Sequence, residues 1–141
     1  MEYLHSLKNW NLVKKMSDTF DDLFVEKDEL NEEILKEILA NRVKMTSEGD
    51  IIFQQDFEPK TAIIIYLLSN KVFLMRKIRE DEASGPKEIH TKTGVAEGTV
   101  KKYVRDMQKD RLLIGKGGKY FVPNHALNKI KKLVSESDKS S

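Results

Sequence analysis

The chain has 141 residues, 39% of them hydrophobic, with no cysteine and a net charge of +2, which suits one domain or two small units and excludes a disulfide framework or a thiolate-bound metal. The longest apolar run, residues 62–68, falls far short of the ~20 residues of a membrane-spanning helix, and residues 1–5 lack the basic-then-apolar layout of a signal peptide, so a cytoplasmic protein is expected. The charge is divided: residues 1–59 hold 7 Lys/Arg against 14 Asp/Glu and residues 60–141 hold 18 against 9, which points the C-terminal part toward a polyanion and the acidic part toward some other partner or a dimer contact.

In chain order, Leu4, Leu7, Trp10, Leu12, Val13 and Met16 approximate a helical stripe over residues 3–16, and residues 19–24 continue as a short helical turn after Ser17-Asp18. A clearer helix is expected over 28–43. Asp28 can cap it, Leu30, Ile34, Leu35, Ile38 and Leu39 form its apolar face, and Arg42 and Lys44 sit where the helix dipole favours cations. Thr46-Ser47-Glu48-Gly49-Asp50 reads as a turn and Ile51-Ile52-Phe53 as a short extended segment. Pro59 can open the next helix and biases Glu58 toward an extended conformation, so a boundary is placed there.

Over 60–80, Ile64, Leu67, Leu68, Leu74, Met75 and Ile78 share one helical face while Ile63, Ile65, Tyr66 and Phe73 cover other sides. A helix that apolar has to be buried on more than one side, in the core or against a second subunit. Ser69-Asn70-Lys71 is the point at which it could divide into two helices, the later spanning 72–81.

Pro86 suits the first position of a helix and Glu88 its first turn, so a short helix is expected over 86–93, ended by a left-handed Gly94 with Val95 filling the corner behind it. A second helix follows over 97–109. Val100, Tyr103, Val104 and Met107 make its apolar face, and Gly98, Lys101, Lys102 and Arg105 lie roughly 200° round the barrel. Leu112-Leu113-Ile114 and Tyr120-Phe121-Val122 then flank Gly115-Lys116-Gly117-Gly118-Lys119, a hairpin signal with lysines near its tip. The strand after these glycines argues against a phosphate-cradling loop, which requires a Lys-Ser/Thr and a helix. Asn124 can cap a last helix over 124–134, with Leu127, Ile130 and Val134 as its stripe, and residues 135–141 are expected to be disordered.

The stretch KEIHTKTGVAEGTVKKYVRDMQKDRLL resembles the middle of winged helix-turn-helix transcription regulators, the broad bacterial and archaeal superfamily that includes the multiple-antibiotic-resistance and arsenic-repressor families. The matching positions are Ile89 in the first helix, Gly94-Val95 at the turn, Thr99-Val100 in the second helix and Leu113-Ile114 leading into the wing. His90 stands where such motifs usually carry a small residue, Ala96 where a capping Ser or Thr is common, and Arg111 where Gly often ends the second helix.

The resemblance implies a mainly α-helical protein with a small β-hairpin wing. Its units are an acidic helical extension over 1–59, a winged helix-turn-helix domain over 60–123 and a C-terminal helix over 124–134. It further implies sequence-specific binding of double-stranded DNA as a homodimeric transcription regulator. Gly98, Thr99, Lys101, Lys102 and Arg105 would then face bases and phosphates, Lys87 and Lys92 flanking phosphates, and Lys116 and Lys119 the backbone or minor groove. A protein-interaction module that docks through the acidic region is the alternative. His5, His90 and His125 have no metal-ligand spacing, and the acids between Asp21 and Glu33 spread over a turn and a helix start, so no cofactor, metal or catalytic residue is expected.

Overall fold

A computed structural model describes residues 29–140, and the helices expected over 3–16 and 19–24, with the Asp28 cap, lie outside them. The described residues form five helices and two antiparallel hairpins: α1 (Glu32–Leu39), β1 (Val43–Met45), β2 (Ile51–Phe53), α2 (Pro59–Met75), α3 (Pro86–Thr93), α4 (Glu97–Lys109), β3 (Ile114–Lys116), β4 (Lys119–Phe121), a 3-10 turn (Asn124–Ala126) and α5 (Leu127–Ser140). The architecture is therefore mainly helical with small hairpins, and none of these helices is long and apolar enough to cross a membrane.

The helix expected over 28–43 is shorter than its apolar stripe. Asn31 caps α1 by accepting from the Ile34 N–H at 3.1 Å, and the helix ends at Ala40. Asn41 turns the chain with φ 67°, a left-handed value that Asn tolerates. Arg42 nonetheless serves the helix end, donating to the Ile38 carbonyl at 2.7 Å. Val43 and Lys44 correct the expectation: they belong to a strand, with Val43 opposite Phe53 and Met45 opposite Ile51. Thr46 and Asp50 close the β1–β2 turn through backbone and side-chain bonds, and Gly49 takes φ 89° within it.

α2 runs unbroken through Ser69-Asn70-Lys71 and is buried continuously from Thr61 to Lys71. It ends at Met75 rather than near residue 80. Lys77 adopts φ 61°, its N–H bonds the Leu74 carbonyl and the Ile78 N–H bonds the Phe73 carbonyl, the double bond of a Schellman cap. The same device closes α4: Arg111 at φ 62° bonds Gln108, and Leu112 bonds Met107 at 2.9 Å. Arg111 thus fills the left-handed position at which Gly is the commoner residue.

α3 and α4 occupy the residues expected of them, with Pro86 in the first turn of α3, Gly94 at φ 79° and no side-chain cap at Ala96. The hairpin lies two residues later in its first strand than the apolar runs suggested. Leu112 and Leu113 go into the core, and Ile114–Lys116 pairs with Lys119–Phe121. Gly117 and Gly118, at φ 61° and 80°, make the type I′ turn that two-residue hairpins prefer. Ser84 pairs with Tyr120 on the far side of β4, adding a one-residue rung.

α5 continues past Val134, where it was expected to end, to Ser140. Thr61 Oγ1 donates to Ser137 Oγ at 3.4 Å, so this extension lies along the start of α2. The core of the described residues is one cluster: Leu35, Ile38, Leu39 and Val43 join the α2 residues Ile63 to Leu68, Ile89, Val100, Val104 and Met107, and the α5 residues Leu127, Ile130 and Val134.

Candidate nucleic-acid interface

Burial of Val100, Val104 and Met107 against α2 and α3 fixes which side of α4 faces outward. On that outward side Gly98, Lys101, Lys102 and Arg105 are exposed, and Thr99 is half-buried at the turn. A Cβ placed on Gly98 would meet nothing within 4 Å among the described residues, so the helix there is smooth and open to close approach. Lys101 lies 3.8 Å from Glu97 one turn back, with both side chains largely exposed. A pair of that kind is screened and contributes little, which leaves the lysine available to a partner.

α3 is tied to α4 at the turn. His90 Nδ1 hydrogen-bonds with the Val95 carbonyl at 2.6 Å, a structural use of this histidine. Lys87 is exposed on the outer side of α3. Lys92 is not isolated: its ammonium sits 2.6 Å from Asp50 of the β1–β2 turn. Lys116 and Lys119 are exposed and directly opposite one another across the hairpin tip. Like charges at paired positions are destabilising. An anionic partner would relieve that cost.

A second polar cluster, outside the expected site residues, lies where α2, α3 and the β3–β4 hairpin meet. Ser84 is 1% exposed and its hydroxyl lies 3.0 Å from the Tyr66 hydroxyl and 2.9 Å from Asn70 Nδ2, while also donating to Glu88 Oε1. Arg79 donates to Asn70 Oδ1, to the Ala83 carbonyl and to Glu88, each at 3.0 Å. The Ser84 backbone meanwhile exchanges hydrogen bonds of 3.0 and 2.8 Å with Tyr120. One buried serine therefore joins α2, α3 and the β3–β4 hairpin. Beside it Lys71, 2% exposed, donates to Glu82 and to Asn124 Oδ1, both at 2.6 Å.

The ionisation states follow from these contacts. Partial burial raises the Glu88 pKa, but hydrogen bonds from Ser84, Arg79 and Tyr66 with the Arg79 charge outweigh it and hold the carboxyl below its ordinary range. Burial and the neighbouring Glu88 charge push the Tyr66 phenol up. For Arg79, burial opposes the charge, yet its bonds to Glu88 and Tyr66 prevail and favour the cation. The signal available in the sequence was Ser69-Asn70-Lys71, a polar triplet inside an otherwise apolar helix, which implies buried partners elsewhere.

Among the described residues no group of His, Cys, Asp and Glu is placed to hold a metal ion. The chain matches no protein-family model, no curated protein and no solved structure. The site's meaning rests on its own geometry.

Proposed function

We propose that this chain is a winged helix-turn-helix protein that binds double-stranded DNA and regulates transcription as a homodimer. In this reading α2, α3 and α4 are the three helices of the unit, Ser84 is its first strand rung and β3–β4 is the wing. α4 enters a major groove with Gly98, Thr99, Lys101, Lys102 and Arg105 toward bases and phosphates, and Lys116 and Lys119 meet the adjacent backbone. The carrying observation is the exposure of Gly98, Lys101, Lys102 and Arg105 on one side of a helix whose opposite side is buried. Lys87 remains a flanking phosphate contact, whereas Lys92 would have to exchange Asp50 for a phosphate. Two copies are inferred because one short helix reads few bases, and a second half-site multiplies specificity.

The test is a salt titration of duplex binding by the full chain and by a Lys101→Ala/Lys102→Ala/Arg105→Ala variant. With about ten phosphates neutralised per dimer, the log–log slope of affinity against salt is expected near −9, and the triple variant should lose most of the binding. Undiminished binding by the variant would remove α4 from the interface. Docking to a protein is the second reading, favoured by Ile52 at 55% and Met75 at 46% exposure, large apolar side chains left at the surface. It predicts negligible DNA affinity at physiological salt.

A further inference from the structure

We propose that the loop between β2 and α2 extends the DNA-reading surface, with Gln55 and Asp56 contacting base edges beside those met by α4; this rests on the DNA-binding reading above. A cleft of about 650 Å³ separates this loop from the α3–α4 turn. Gln54, Gln55 and Asp56 line one wall, and Thr93, Ala96 and Thr99 line the other. Thr99 belongs to the proposed reading end of α4, and helical side chains lean toward their N-terminus, so its side chain leans toward the cleft. The loop is held in place. Phe53 and Phe57 pack edge to face with centroids 5.7 Å apart, and Gln54 Nε2 donates to the Ile52 carbonyl at 3.1 Å.

Charge decides what such a cleft accepts. Among the described residues that line it, Asp56 is the one that carries a charge, and none is Lys or Arg. A phosphate would meet repulsion there, in contrast to the lysines of α4 and the hairpin. Neutral edges rich in amino groups fit instead: glutamine pairs with adenine N6 and N7, and a carboxylate accepts from cytosine N4. The loop contributes specificity at an additional base pair and little of the salt-dependent affinity.

The experiment selects binding sites from a randomised duplex pool at fixed salt with the full-length wild type, Gln55→Ala and Asp56→Asn, each checked for folding by circular dichroism. The wild type is expected to select a core sequence plus one or two flanking base pairs. The variants should keep the core, with preference at the flank reduced by roughly tenfold and the salt slope unchanged. A flank preference that both variants retain overturns the loop's role while leaving the DNA reading intact. Uniform weakening at every position, with a shallower slope, also overturns it, since that is the signature of phosphate contact. If the wild type selects no sequence, both readings fall.

Discussion

On the outer face of α4, Lys101, Lys102 and Arg105 stand in solvent, and the ion pair from Lys101 to Glu97 is loose and exposed. Within α2 and just before α3, by contrast, Tyr66, Asn70, Lys71 and Ser84 are nearly inaccessible and share their partners. The outer charges are independent of one another and leave the fold indifferent to their identity. The inner polar groups depend on each other, because a buried donor or acceptor that loses its partner keeps its desolvation cost. Exposed polarity is available to a ligand, and buried polarity sets where α3 and the hairpin lie.

The sharpest break in this contrast is expected at Lys71. Removing its partner with Glu82→Ala leaves an almost buried ammonium with no carboxylate. The loss should be about 3 kcal/mol, the lower end of the usual 3–5 because Glu82 is 21% exposed and water can enter. Lys71→Met removes the charge itself and should cost much less. Urea unfolding of both variants checks this, and equal losses would mean that the chain tolerates the cation unpaired.

A smaller effect comes from acid. Glu88 has a folded pKa below its unfolded value, so its ionised form stabilises the native state at neutral pH. That contribution is lost as pH falls from the ordinary glutamate range, about 4.3, through the folded value. Tyr66 is displaced upward, so the stability linked to it is fully present below the usual tyrosine range and is lost as pH rises from that range through the raised value. Urea midpoints between pH 3 and 7 should decline on the acid side for the wild type, with a flatter decline for Glu88→Gln. Identical profiles would show that Glu88 is not linked to folding.

The smallest effect on stability is expected on α4. Lys102→Ala with Arg105→Ala should leave unfolding within about 0.5 kcal/mol of the wild type. A large destabilisation would mean that the outer face is part of the packing, and the contrast would collapse.

How far each region could be read in advance depended on the range of its interactions. α3 and α4 were legible to the residue because Pro86, Gly94 and the spacing of Val100, Val104 and Met107 act locally. The basic face of α4 followed from the same spacing. The strand Val43–Met45 was not legible: Val43 lies one helical turn beyond Leu39, so it extends the stripe of α1 as readily as it pairs with Phe53. The hairpin was recognised but displaced, since Leu112 serves the Schellman cap and the core. No signal in the sequence tied Lys92 to Asp50, 42 residues away.

By itself, then, the sequence determined the helical register, the glycine turns, the amphipathic character of α4 and the charge division between its two parts. These depend on periodicities of a few residues and on backbone preferences that each residue carries with it. Only the tertiary structure decided that Ser69-Asn70-Lys71 would remain helical, that Lys77 and Arg111 would take left-handed conformations, and that Ser84 would join three elements. In each case a local preference was outweighed by burial or by hydrogen bonds to residues distant in the chain, which become available only when the core assembles.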